Sequence, residues 1–195
     1  MGGRDKAFLR IGERTSAERI LERLAPLFPR VLVSSNRPDL WAPLGLPAVA
    51  DLFPGAGPLA GLHAGTLAAE RDGADAVFAL ACDLPFVSPD AVRRILDAAR
   101  GHAAAAGTLP DAVVPRIAAR VEPLHAFYLV SAARAAEECL RAGQNAMTDL
   151  LDSLPRVVML EETDFAGIAD LALSFRNVNT PEDLAEAERL LARRP

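Results

Sequence analysis

The 195-residue chain reads as α/β, a sandwich with a mostly parallel sheet. Three observations predict this. Short apolar runs alternate with stretches of helical periodicity along the whole length. One run, Ala76-Val77-Phe78-Ala79-Leu80-Ala81-Cys82, ends abruptly at Asp83-Leu84-Pro85. Placed between helices, it predicts a central parallel strand buried on both faces. Finally, apolar residues make up 51% of the chain but aromatics only 5%, which suits helices packed closely on a sheet through short side chains. The length fits a single domain over 1–195, with no internal repeat or linker.

The elements follow in order. Residues 1–6 form a Gly-rich, charged loop, and 7–11 suit a short strand before a turn at Gly12-Glu13. Thr15 and Glu18 have capping-box spacing. Ala17, Ile20, Leu21, Leu24 and Ala25 then share one helical face, closed by Pro26 and Pro29. Strands at 31–33 and 48–50 deliver Ser34-Ser35-Asn36 and Asp51 to their carboxyl ends. The loop Pro54-Gly55-Ala56-Gly57-Pro58-Leu59-Ala60-Gly61 opens a helix running to about Glu70, with Pro58 in its first turn. Gly57 and Gly61 permit close approach of a backbone or ligand, and the helix amino end favours an anion.

Ser88-Pro89-Asp90 starts a helix ending near Arg100-Gly101, and a flexible Ala-rich connection leads to Pro110. Residues 112–115 form a strand, 116–120 a hairpin tip, and 121–129 the return, where Pro123 suggests an edge or bulge. A helix at 131–142, a short helix at 148–154 and a strand at 157–160 complete this half. Thr180 caps the last helix, Pro181 opens it, and Glu182 and Asp183 complement its dipole.

Composition excludes several functions. A net charge of −5 provides no general attraction for nucleic acid. An anionic substrate would need local cations such as Arg4, Lys6, Arg10, Arg37, Arg116 or Arg120, which otherwise are solvated surface. Cys82 and Cys139 are too few for a disulfide framework and lack metal spacing. No apolar run approaches the ~18 residues needed to span a bilayer, and no signal region opens the chain, so a cytoplasmic protein without a membrane partner is expected. His63, His102 and His125 lack ligand spacing and read as structural or exposed. There is no Gly-x-Ser-x-Gly elbow and no Walker-type Gly-Lys-Ser/Thr.

What remains is a set of polar groups at strand ends or in neighbouring loops: Lys6, Asn36, Asp51 and Asp83. In open α/β sheets, ligands sit in the crevice beyond the carboxyl ends of the strands. Asn and Asp suit the edge of a base or ribose hydroxyls, and a Lys neutralises phosphate oxygens. Asp83 could hold Mg²⁺, which accepts one or two carboxylates alongside phosphate oxygens and water. Its other reading is a strand-terminating Asp that caps a turn. Together the groups suit phosphoryl or nucleotidyl transfer.

Five segments carry a resemblance: Met1-Gly2-Gly3-Arg4-Asp5-Lys6-Ala7, Ser35-Asn36-Arg37, Gly57-Pro58-Leu59-Ala60-Gly61, Cys82-Asp83-Leu84-Pro85 and Asn177-Val178-Asn179-Thr180-Pro181-Glu182-Asp183-Leu184. In that order they resemble the molybdenum cofactor guanylyltransferases over nearly the whole chain. The resemblance implies a Rossmann-like three-layer sandwich of the nucleotide-diphospho-sugar-transferase-like fold. It implies transfer of GMP from GTP to molybdopterin, as molybdenum cofactor, with Mg²⁺ and release of pyrophosphate, and a recipient molybdoenzyme as a further partner. Lys6, Asn36 and Asp51 would contact GTP, Asp83 would contact it through Mg²⁺, and Gly57 and Gly61 would shape the pocket. Asn177 and Asn179 would lie on the pterin side; from the residues alone they equally suit a turn ahead of a capped helix.

Against the family pattern, the chain starts where a first central strand and a Leu-Ala-Gly-Gly segment should already have passed, so that strand is expected to be missing. Unpaired dry backbone groups cost about 1–3 kcal/mol each, against about 5–15 kcal/mol of total stability. Marginal stability and little activity are therefore expected unless another strand fills the gap. The second departure is Gln144-Asn145-Ala146, where the family often carries arginines. Two alternatives remain: a relative using CTP or a sugar phosphate, and a truncated, non-catalytic binding protein.

Overall fold

The computed structural model describes residues 6–192, so the loop expected at residues 1–5, with Arg4, lies outside the described residues. After a 3-10 turn at Lys6–Phe8 come strands β1 (Arg10–Ile11) and β2 (Arg14–Thr15), helix α1 (Ser16–Leu24), β3 (Val33–Ser34), α2 (Pro38–Trp41) and β4 (Ala48–Val49). Next are α3 (Pro58–Arg71), β5 (Ala76–Leu80), α4 (Pro89–Ala106), β6 (Ala112–Ile117), β7 (Arg120–Val121) and β8 (His125–Leu129). The chain continues through α5 (Ala132–Arg141), α6 (Met147–Ser153), β9 (Val157–Glu161), α7 (Leu171–Ser174) and α8 (Pro181–Ala192).

The main sheet has the order β5-β8-β6-β7, with β9 on the other edge of β6. Both β5 and β6 run antiparallel to β8, and β9 runs parallel to β6, so β5, β6 and β9 share one direction. Strands β3 and β4 form a separate parallel pair. The period-2 alternation of strand side chains sorts the core into two layers. Val77, Ala79, Ala112, Val114, Ala126 and Tyr128 meet α3, α5 and α6. Ala76, Phe78, Val113, Ile117 and Phe127 meet α4 and the segment that carries Phe165 and Phe175. The result is the expected three-layer α/β sandwich around a mixed sheet, in which three of the five described strands run in one direction. No helix among the described residues is long and apolar enough to cross a membrane.

Local signals set most boundaries. Thr15 and Glu18 close a capping box: Glu18 N–H donates to the Thr15 hydroxyl at 3.2 Å, and Thr15 N–H donates to the Glu18 carboxylate at 2.7 Å. Ser88 caps α4, Pro89 opens it, and the chain leaves it through Gly107 at φ 74°.

Four expectations change. Strand β5 is not a central parallel strand buried on both faces: its sheet partner among the described residues is the antiparallel β8, and all five of its residues are half-buried. Helices cover its two faces, but no described strand covers its second edge. The strand expected at 7–11 is a 3-10 turn followed by two paired residues. The Ala-rich stretch after Gly101 is not a flexible connection but the end of α4, because Ala has the highest helix propensity and outweighs one glycine. The strand expected at 121–129 splits into β7 and β8 around Pro123, which has no N–H to donate to the ladder.

Candidate active site

Beyond β5 the backbone is pinned on both sides of Asp83. Ser16 Oγ donates to the Cys82 carbonyl at 2.7 Å, and Val178 N–H donates to the Asp83 carbonyl at 2.9 Å. The Asp83 side chain is 12% exposed and that of Lys6 53%, with Nζ of Lys6 4.0 Å from Asp83 Oδ2. The same oxygen accepts a 3.2 Å hydrogen bond from Asn177 Nδ2. Asp83 Oδ1 is buried and has no hydrogen-bond donor among the described residues. A turn-capping Asp would spend its carboxylate on backbone N–H groups, whereas here both described partners are side chains.

Asn177 is held in place from the other side by α8. Asp183 accepts from Asn179 N–H at 3.0 Å and Thr180 N–H at 2.9 Å, bonds that hold its carboxyl below the usual range. Asp183 N–H returns a 3.0 Å bond to Thr180 Oγ1. The tight cap fixes Asn177, Val178 and Asn179 as a strap leading to Asp83.

A second cluster sits beyond β3 and β4. Asp51 Oδ1 accepts from Ser34 Oγ at 2.8 Å, and Asp51 Oδ2 accepts from Asn36 Nδ2 at 3.2 Å. Asp51 N–H donates to Asn36 Oδ1 at 3.0 Å. Helix α3 presses on this cluster. A Cβ at Gly61 would stand 3.1 Å from Ser34 Oγ, close enough to press on the hydroxyl that bonds Asp51. Gly57 turns the chain into α3 at φ +76°, a backbone conformation that favours glycine.

Both clusters rest on one apolar floor. Ala7, Ala17 and Trp41 are buried together, with Val33, Ala48 and Cys82 packed against them. Ala7 follows Lys6, Val33 precedes Ser34, and Cys82 precedes Asp83. The structure thus joins Lys6, Asp83 and Asn177 by side-chain contact, joins Asn36, Asp51 and Gly61 in a second group, and seats both on shared packing. Gly57 stands at the head of α3, and Asn179 lines a neighbouring cavity of about 690 Å³ with Arg120, Arg176 and Asn177.

The other sequence candidates lie in different arrangements. Arg37 pairs with Asp39 at 3.4 Å, Arg116 with Glu161 at 2.7 Å and Arg120 with Glu122 at 3.2 Å; Arg10 reaches the Glu13 carbonyl. His63 and His125 are buried. Sequence reasoning placed Ser34 at a strand end without giving it a part in the Asp51 cluster. The spacing of Ser34 and Asn36 was a signal, because residues two apart share one face of an extended chain.

The α/β sandwich is the nucleotide-diphospho-sugar-transferase-like fold, shared with the solved structures it superposes on. The MobA-like NTP transferase domain matches residues 1–157, and the chain belongs to that nucleotidyltransferase family. A "Probable molybdenum cofactor guanylyltransferase" of Pelotomaculum thermopropionicum is 34% identical over 95% of this chain and 84% of its own length. The "Molybdenum cofactor guanylyltransferase" of Cereibacter sphaeroides is 35% identical over 98% of this chain and 90% of its own. The crystal structure of "Molybdopterin-guanine dinucleotide biosynthesis protein A" from Archaeoglobus fulgidus superposes with a TM-score of 0.79 at 28% identity, covering 98% of this chain and 93% of that one.

Proposed function

We propose that this chain transfers GMP from GTP to molybdopterin, as molybdenum cofactor, and releases pyrophosphate for eventual use of the product by a recipient molybdoenzyme. The observation that carries the reading is the convergence at Asp83: a cation on one side, an amide strap on the other, and one carboxylate oxygen without a donor. Names and lengths of the relatives support the choice of substrates.

Asn36 and Asp51 bind the nucleoside part of GTP. Their mutual hydrogen bonds orient both groups and leave lone pairs and one amide hydrogen for ligand. Gly57 and Gly61 keep the pocket wall free of side chains. Lys6 lies along the triphosphate and accompanies the departing pyrophosphate. Asn177 and Asn179 face the second substrate, whose terminal phosphate oxygen attacks the α-phosphorus of GTP as the bond to pyrophosphate breaks. That oxygen is already anionic, so catalysis rests on positioning and charge neutralisation rather than on a general base.

Asp83 fits a magnesium ion. Its free oxygen supplies one carboxylate ligand, and Mg²⁺ commonly takes the rest of its shell from phosphate oxygens and water. No group of three or more potential ligands stands together among the described residues, which suits a metal that arrives with its nucleotide. When bound, the ion would neutralise the charge that builds on the phosphate oxygens.

Incubation with GTP, Mg²⁺ and molybdopterin tests the reading. The expected products are guanylylated pterin and an equal amount of pyrophosphate, both dependent on Asp83. Preferential use of CTP would overturn the base assignment. Pterin binding without GTP binding would overturn catalysis altogether.

A further inference from the structure

The 690 Å³ cavity beside the Asn177 strap is large enough for a small heterocyclic ligand. It opens at the edge of the reaction centre, since Asn177 both lines it and donates to Asp83. Its charged lining holds two cations, Arg120 and Arg176, and two carboxylates, Asp170 and Asp183. Asp183 is committed to the α8 cap through Asn179 N–H and Thr180 N–H. Arg120 is paired with Glu122. Arg176 is exposed, and its guanidinium makes no hydrogen bond or ion pair among the described residues; its electrostatic neighbour is the committed Asp183. The cavity therefore presents an unspent cation and the apolar edge of Phe175.

We infer that Arg176 is the acceptor-selecting residue: it grips an anionic group on the body of the second substrate, while that substrate's phosphate end lies past Asn177 at Asp83. The ligand class that fits is an anionic heterocycle. Its face lies on apolar surface, and its negative substituent reaches the guanidinium fork. Arg120 is a secondary cation, drawn partly from Glu122 when the anion arrives. This rests on the proposed guanylyltransferase reading but is separable from it, because Arg176 contacts neither Lys6, Asp51 nor Asp83 among the described residues.

Two measurements on the full chain separate the two ideas: calorimetric titration with GTP, and calorimetric titration with metal-free molybdopterin. Arg176→Ala is expected to weaken pterin binding at least tenfold and leave GTP binding unchanged; Arg176→Lys should recover part of the loss, and the wild-type affinity should fall with added salt while that of Arg176→Ala falls less. Wild-type pterin affinity in Arg176→Ala overturns the inference and leaves the guanylyltransferase reading intact. Failure of the unsubstituted chain to bind pterin while it binds GTP overturns the inference and the choice of acceptor together. Equal losses for GTP and pterin would mean that Arg176 only supports the fold, and that also overturns it.

Discussion

The two halves of the candidate site are built to different standards. Asp83 leaves a strand whose ladder with β8 pairs five residues, in a sheet clothed by helices on both faces. Asp51 leaves β4, which pairs with β3 over two residues in a sheet of its own. On the first side, layered packing fixes the backbone, and one carboxylate oxygen is left unspent. On the second, the polar side chains themselves supply much of the order, through the Ser34, Asn36 and Asp51 hydrogen bonds. Position is inherited from the core at Asp83 and made locally at Asp51. The difference predicts that damage at Asp83 strikes chemistry alone, whereas damage at Asp51 strikes binding and local structure together.

The largest effect tests the Asp83 half. Asp83→Asn should lower kcat/KM on the order of a thousandfold, the scale for losing a group that stabilises charge in the transition state. Its melting temperature should match the unsubstituted chain within a few degrees. A large drop in thermal stability would show that Asp83 anchors its surroundings, and the contrast would fail. Asp51→Ala should weaken GTP binding roughly tenfold to a hundredfold, the scale of a lost charged hydrogen bond of about 1.5–3 kcal/mol. It should also speed amide exchange at Val33 and Ser35, whose N–H groups bond to the Pro47 and Val49 carbonyls at 2.9 and 2.8 Å. Unchanged exchange would mean the short ribbon holds itself without its side chains.

The same contrast explains what was legible in the sequence. Helix starts were legible from their caps: Thr15, Ser88 and Thr180 all cap the helices they appear to cap. The polar strand-end residues were legible because carboxylates and amides interrupt apolar runs. Two things were not. Strand β5 looks central by composition, but a strand's cover depends on which neighbours lie at its edges, and apolar residues cannot report that. Arg176 looks like any surface arginine, because its meaning comes from a cavity assembled by α7, the α8 strap and the distant hairpin residue Arg120. Long-range assembly leaves no local periodic signal.

Burial of His125 probes the sheet half from its interior. Its ring stacks on Phe175 at 4.2 Å and meets Phe78 edge-on at 5.7 Å, and neither ring nitrogen has a hydrogen-bond partner among the described residues. Burial pushes its pKa down to about 3. The folded protein therefore keeps it neutral, while the unfolded chain takes up a proton below about pH 6.5. Stability from this residue is full above that pH and declines as pH falls towards 3, by about 2 kcal/mol at pH 5. In denaturant titrations, His125→Phe should lose less stability between pH 7 and pH 5 by about that amount. Parallel curves would show that the folded interior admits the charged ring, and that the layered half is looser than its packing implies.

The smallest effect is the sharpest test of the ribbon half, because two consequences of one methyl group pull in opposite directions. Gly61 lies inside α3, where Ala is favoured over Gly by about 1 kcal/mol, so Gly61→Ala should raise helix stability. The added Cβ, however, would lie 3.1 Å from Ser34 Oγ, and the hydroxyl must give by a few tenths of an ångström, which strains its bond to Asp51. Losing one such bond is worth about 1 kcal/mol, or roughly a fivefold change in affinity. Gly65→Ala on the same helix is the control: its Cβ would meet Leu32 Cδ1 at 3.6 Å, an ordinary contact. Both variants should therefore melt at or above the temperature of the unsubstituted chain, and only Gly61→Ala should bind GTP more weakly. If Gly65→Ala weakens GTP equally, helix stiffness rather than the Ser34 bond sets the geometry. If neither does, Asp51 keeps its place without Ser34, and the ribbon owes its order to backbone pairing after all.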